Sequence, residues 1–269
     1  VGVRVRGRVL IVAGSDSGGG AGIEADIKTV TALGGYAATA ITALTAQNTL
    51  EIASLLPVDP EFVAQSMRLV LADIGADCIK TGMLVGRPTI ETVARILEEE
   101  ASTIPLVIDP VMVASSGTAL LEADAVDALI RRLIPRARLV TPNVPEAERL
   151  TGLTLSDPQD MRRAGEVLLQ RGARAVLVKG GHLQGEMVYD LLIDGEGGEE
   201  LLMSVPRQHT RHTHGTGCTL ASAIATGLAQ GLALQAAVMR ARDYLQEAIR
   251  TAPGFGRGKG PLNHTPSRP

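Results

Sequence analysis

Between Val9 and Ala252 short apolar runs alternate with segments of helical spacing, and this rhythm leaves few folds open. Val9–Ala13 reads as a strand, followed by a glycine-rich turn and a helix from about Ala21 to Leu33. Tyr36–Thr45 and Ile52–Val58 read as strands, and Pro60–Ile74 has helical spacing through Phe62, Met67, Val70 and Leu71. Asp77–Thr81, Leu106–Ile108, Arg138–Thr141 and Ala175–Lys179 read as further strands. Helices over Thr89–Ala101, Ala123–Leu133 and Gln159–Gln170 separate them. Then Met187–Ile193 and Glu200–Val205 predict a hairpin across Asp194–Gly198. Helices over Thr219–Ala229 and Leu234–Ala252 close the pattern. Repeated alternation of this kind predicts an α/β fold, a mainly parallel sheet covered on both faces. No linker or internal repeat interrupts residues 1–252, so one domain is expected over 1–269, with 254–269 as a tail rich in Gly and Pro.

Composition removes several function classes. The net charge is −3, aromatic residues make up 2% and there is no Trp, so neither a basic footprint nor a base-stacking surface for nucleic acid is present. No apolar stretch approaches the roughly 20 residues of a membrane span. Val9–Ala13 is too short for the core of a signal peptide and reads better as a buried strand. Two cysteines, Cys78 and Cys218, are too few for a disulfide framework, so a reducing cytoplasm is the expected setting.

In doubly covered parallel sheets ligands bind at the carboxyl ends of the strands. The glycine-rich and polar residues collect there: Gly14–Gly20, Ala46-Gln47-Asn48, Gly82-Met83, Asp109–Met112, Thr141–Glu146 and Lys179–His182. With Gly215–Cys218 they predict one cleft for a small molecule. Gly20-Ala21-Gly22-Ile23-Glu24-Ala25 fits the dinucleotide pattern G-x-G-x-x-G/A, but the next strand runs into Ala46-Gln47-Asn48 rather than an acid. A Walker A pattern is absent. His209, His212 and His214 fit no zinc template and read as loop histidines.

Gly215-Thr216-Gly217-Cys218 opens a smooth apolar helix. Glycines at such a point let backbone N–H groups converge, and a helix N-terminus carries partial positive charge, so the segment predicts an anion hole. A phosphoryl group in transfer is its natural occupant. Cys218 in the first turn has two readings: a thiolate favoured by the same field and acting as general base, or a small packing thiol. Lys179 is placed to neutralise a phosphate, and Asp109 and Glu146 to hold Mg²⁺ directly or through water. The alternative for Glu146 is the first turn of a short helix, which Asn143 would cap when it is not touching a phosphate.

The segments GSDSGGGAGIEADIKT, TALTAQNT, KTGML, DPVMVASSG, TPNVPEAE, VKGGH and HTHGTGCTLASA resemble the hydroxymethylpyrimidine kinase/phosphomethylpyrimidine kinase family of thiamin biosynthesis, within the ribokinase-like superfamily. The resemblance covers nearly the whole chain and reaches GRGKGPLNH in the tail. It implies a mostly parallel core sheet of about eight strands, a homodimer, ATP with Mg²⁺, and room for a monovalent cation. It also implies two successive phosphorylations, first of 4-amino-5-hydroxymethyl-2-methylpyrimidine and then of its monophosphate. Gly215, Thr216, Gly217, Cys218 and Lys179 would be catalytic, with Cys218 where the wider superfamily has Asp. Gln47 would read the pyrimidine, lined by Asp26, Met83, Val111 and the backbone at Gly14. Asn143, Lys179, Thr213, Gly215 and Gly217 would hold the nucleotide, and Asp109 and Glu146 the metal. Glu24 stands where relatives often have Gln. A Gln amide offers the donor and acceptor that complement an aminopyrimidine, and a Met sulfur favours an aromatic ring. The rival functions are a pyridoxal or pyridoxine kinase of the same superfamily and, from other classes, a non-catalytic sensor or a dinucleotide oxidoreductase.

Overall fold

The computed structural model describes residues 5–113, 117, 120–122 and 124–266. Among them are nine strands: β1 (Arg8–Asp16), β2 (Tyr36–Gln47), β3 (Ile52–Pro57), β4 (Cys78–Thr81), β5 (Leu106–Ile108), β6 (Leu139–Val140), β7 (Ala175–Lys179), β8 (Met187–Asp194) and β9 (Glu199–Pro206). They form one sheet in the order β3-β2-β1-β4-β5-β6-β7-β8-β9. The six central strands run parallel. β3 is antiparallel to β2, and the β8–β9 hairpin continues the sheet antiparallel from β7. The sheet thus has nine strands rather than about eight, because the hairpin joins the main sheet.

The helices are α1 (Gly22–Ala32), α2 (Pro60–Asp73), α3 (Arg87–Glu100), α4 (Ala125–Ala128), α5 (Val144–Thr151), α6 (Pro158–Gln170), α7 (Thr216–Ala229) and α8 (Leu234–Arg250). β1 shows how one strand serves two cores. Leu10 and Val12 pack with α2–α6 on one face, while Val9, Ile11 and Ala13 pack with α1, α7 and α8 on the other. The strand period of two produces this division. A strand buried on both faces has no polar alternation, which is why Val9–Ala13 is continuously apolar.

Several expected boundaries move. β2 runs on to Gln47, so this residue ends the strand instead of following it. α7 begins at Thr216 instead of Thr219. Of the helix expected over Ala123–Leu133, Ala123 lies outside the described residues. α4 widens into a π-helical turn at Leu129–Leu133 and tightens into a 3₁₀ turn at Ile134–Arg136. Pro135 has no N–H for the helical ladder and helps end it there. Residues 114–116 of the DPVMVASSG segment lie outside the described residues, as do residues 118 and 119 and residues 1–4 and 267–269 of the termini.

The tail is non-helical and packed onto the fold. Lys259 N–H donates to the Thr49 carbonyl at 3.1 Å, and Asn263 N–H to the Ala248 carbonyl at 3.1 Å. Among the described residues no helix is long and apolar enough to cross a membrane.

Candidate active site

The chain leaves β1 toward β2 on one side, and β4 then pairs on the other side of β1. The carboxyl ends of β1 and β4 therefore flank a topological switch point, where the sheet opens a crevice. A cleft lies there. Its lining includes Gly14, Gln47, Met83, Val111 and the whole Gly215–Cys218 segment. Thr42 Oγ1 donates to the Met83 carbonyl at 2.6 Å, fixing the backbone of that wall.

Asp16, the last residue of β1, organises the turn into α1. Its carboxylate accepts the N–H groups of Gly18 (2.7 Å), Gly20 (3.1 Å) and Ala21 (2.8 Å), and His214 Nε2 lies 2.8 Å from Oδ2. Burial works against the charge, but His214 and the backbone donors hold the Asp16 carboxyl at about 2. Glu24, from the first turn of α1, accepts the Ser15 hydroxyl at 2.5 Å and the Asp16 N–H at 2.7 Å. At Gly22 (φ 57°) a Cβ would collide with the Gly14 carbonyl oxygen. Gly22 of the dinucleotide-like pattern is thus explained by the close approach of α1 to β1, and Gly20 by the His214 ring, which a Cβ there would meet.

α7 starts on Gly215, which has φ 84° and sits so close to Gly20 that a Cβ would strike its carbonyl oxygen. The first-turn N–H groups of a helix lack intrahelical acceptors. Those of this helix open on the cleft. A Cβ on Gly217 would lie 3.3 Å from both Asp109 Oδ2 and Lys179 Nζ. The start of α7 therefore abuts an ion pair: Lys179 Nζ is 2.8 Å from Asp109 Oδ1 and 4.0 Å from Glu146 Oε2. Burial opposes the Lys179 ammonium, yet Asp109 and Glu146 raise its pKa above the ordinary lysine value. Burial raises the Glu146 carboxyl, against the pull of Lys179.

Glu146 and Asn143 form a capping box on α5, with Asn143 Oδ1 accepting the Glu146 N–H at 2.9 Å and Glu146 Oε2 accepting the Asn143 N–H at 2.8 Å. The capping role and the place beside Lys179 thus coexist in one side chain. Thr213 is outside the cleft lining; its carbonyl accepts the Thr216 N–H at 3.4 Å.

Two expectations need correction. Asp26 does not line the cleft: it is fully buried, with Lys80 Nζ at 2.7 Å and the Ser222 hydroxyl at 2.6 Å. Lys80, itself fully buried, reaches the cleft wall in its place. The second concerns Cys218. Burial pushes its thiol up to about 12, although the Lys80 ammonium pulls the other way. The helix N-terminus does not outweigh desolvation, so the thiolate is a minor species at neutral pH.

The sequence reading gave no role to the cleft residues Lys80 and His214, and placed Asp16 in the cleft only as part of Gly14–Gly20. Their only signal was placement in motifs whose glycines drew the attention. The three loop histidines do not converge on a metal: His209 faces Glu186 and His214 faces Asp16. Among the described residues no cluster of three or more His, Cys, Asp or Glu is arranged to hold a metal ion. Mg²⁺ needs no such cage, since one or two carboxylates and substrate phosphates suffice, and the Asp109–Glu146 pair fits that donor chemistry.

The family model described as phosphomethylpyrimidine kinase matches residues 16–263. The chain belongs to the phosphomethylpyrimidine kinase family. Among curated relatives, the thiamine biosynthesis bifunctional protein of Geobacter sulfurreducens is 52% identical over 96% of this chain. This chain spans about half of that longer protein, 52% of its length. The hydroxymethylpyrimidine/phosphomethylpyrimidine kinase of Streptomyces coelicolor is 47% identical, covering 95% of this chain and 93% of its own. Among solved structures, an ADP complex of Bacillus subtilis pyridoxal kinase superposes with a TM-score of 0.89 at 33% identity, covering 97% of this chain and 98% of its own. This family member thus has the ribokinase-like fold of both kinase types, and the fold alone does not choose between their substrates.

Proposed function

We propose that this chain uses ATP to phosphorylate the hydroxymethyl group of 4-amino-5-hydroxymethyl-2-methylpyrimidine and then the resulting monophosphate, in thiamin biosynthesis. The observation that carries the reading is the meeting of the α7 N-terminus with the Asp109–Lys179 pair, beside a wall of Gln47, Met83 and Val111. Backbone N–H groups of Gly215–Cys218 stabilise the equatorial oxygens of the transferring phosphoryl. Lys179 neutralises the phosphate chain, with Asn143, Thr213, Gly215 and Gly217 on the nucleotide side. Asp109 and Glu146 would hold Mg²⁺, which would supply charge neutralisation at the phosphates. Gln47 reads the ring and Met83 packs its sulfur on it. The chain acts as a single domain and as a homodimer, for which the exposed cross-strand pair Leu44–Leu56 on the β2–β3 edge offers an apolar contact.

Gln47→Leu removes both polar ends of the amide at similar volume. It should weaken pyrimidine binding by about 1–3 kcal/mol and leave ATP affinity intact. Calorimetry with each ligand checks this, and unchanged pyrimidine affinity would reject the assignment. The likeness to pyridoxal kinase favours a second reading, in which pyridoxal fills the same cleft. Strong binding of pyridoxal, unaffected by Gln47→Leu, is what that reading expects.

Cys218 is the proposed proton acceptor. With its thiol at about 12, the base is the thiolate and turnover should keep rising through pH 9 without levelling at the ordinary thiol value near 8.5. A pH–rate profile under saturating substrates tests this. A plateau below pH 8 that persists in Cys218→Ala would assign the limiting ionisation elsewhere.

A further inference from the structure

His214 sits between the proposed pyrimidine reader and the anion hole, one residue before Gly215. Its ring is held by tight surroundings. The backbone N–H donates to the Gly260 carbonyl at 3.1 Å, and a Cβ on Gly20 would lie 2.6 Å from its Cδ2. Its Nε2 faces two groups: Asp16 Oδ2 at 2.8 Å and the Gln47 amide, whose Nε2 lies 3.4 Å away.

The protons on these groups are constrained. Asp16 is ionised, since it accepts three backbone N–H groups and is held at about 2. An ionised carboxylate only accepts. His214 must therefore carry its proton on Nε2 and donate it to Asp16. This holds for the neutral ring and for the imidazolium. An Nε2–H cannot accept from the Gln47 NH₂, so two donors would face each other. Rotation of the Gln47 amide by half a turn replaces that clash with an acceptor. The two amide orientations are distinguished only by their hydrogen-bond partners.

We infer that His214 is a specificity-determining residue: its Nε2–H, already donated to Asp16, repels the Gln47 NH₂ and so turns it toward the cleft, and the site selects a ligand that presents a ring-nitrogen acceptor. The inference rests on the proposed pyrimidine kinase reading, and it names the feature of the aminopyrimidine that Gln47 recognises: the ring nitrogen beside the amino-bearing carbon. Asp16 thereby has two roles. It builds the turn into α1, and it fixes the tautomer that orients Gln47 from across the cleft.

The test compares the aminopyrimidine with its analogue carrying C–H in place of that ring nitrogen. The readouts are the ratio of the two kcat/KM values and the KM for ATP. The wild-type chain should favour the parent by roughly tenfold or more, the range of one buried hydrogen bond. His214→Leu should bring the ratio close to one, with a raised pyrimidine KM and an unchanged ATP KM. His214→Gln places an amide donor near the Nε2 position and should restore the preference. Gln47→Glu is a second route that leaves His214 in place. It has no donor for the ring nitrogen, so it too should lose the preference. A wild-type ratio retained in His214→Leu, at whatever absolute activity, would overturn the inference. Should His214→Leu fail to fold, a wild-type ratio retained in Gln47→Glu would do the same. A wild-type chain that phosphorylates neither compound removes the kinase assignment itself, and the inference with it. A wild-type chain that phosphorylates both equally well overturns only the recognition of the ring nitrogen.

Discussion

Lys80→Met should destabilise the protein by about 3–5 kcal/mol, the usual result of removing one partner from a buried ion pair. Lys80 and Asp26 are both fully buried and 2.7 Å apart. Methionine replaces the stem of the lysine at similar length, so little packing is lost. What remains is a buried Asp26 carboxylate with only the Ser222 hydroxyl as a side-chain donor at 2.6 Å. Burial already raises the Asp26 pKa, with Lys80 opposing the shift; without Lys80 the carboxyl takes up a proton more readily. The variant should therefore recover part of its loss as pH falls. Denaturant unfolding at two pH values measures both effects. The pair replacement Lys80→Met with Asp26→Leu should be less damaging than Lys80→Met alone, because no unpaired charge stays buried. A single variant as stable as wild type would show that the pair contributes nothing.

Lys179→Met should lower kcat by about 10²–10³-fold, as the loss of one preorganised group at developing negative charge does elsewhere. The same change removes the cation lying between Asp109 and Glu146. Two buried carboxylates then face each other without compensation. Added Mg²⁺ should relieve this repulsion, so the melting temperature of the variant should rise more with Mg²⁺ than that of wild type. Thermal unfolding across a Mg²⁺ titration separates this account from a purely structural one. Equal Mg²⁺ responses, with kcat preserved, would remove Lys179 from the phosphate site and the carboxylates from the metal site.

These charges were unevenly legible in the sequence. Lys179 ends β7 and Asp109 directly follows β5, and in a parallel sheet strand ends converge, so their meeting was readable from position. Lys80 lies inside an apolar run, one residue before its strand ends, and pairs with a helix residue 54 positions away. Nothing local marks that pairing, because it depends on α1 covering the sheet face of Ile11, the β1 residue paired with Lys80. Gly215 was readable as the start of a helix, and the structure adds two local reasons for the glycine, its φ of 84° and its close approach to Gly20. The state of the Cys218 thiol was not readable, because desolvation is set by surrounding elements and not by the helix that carries it. His214 looked like one of three loop histidines until Asp16, 198 residues away, was placed against it. The antiparallel direction of β3 was equally hidden, since Ile52–Pro57 has the same apolar content in either orientation.

The most direct test of the kinase assignment is to incubate the protein with Mg-ATP and either 4-amino-5-hydroxymethyl-2-methylpyrimidine or pyridoxal, and to identify the products by mass. The account predicts that the pyrimidine gains first one phosphoryl group and then a second. Phosphorylated pyridoxal with no phosphorylated pyrimidine would contradict it.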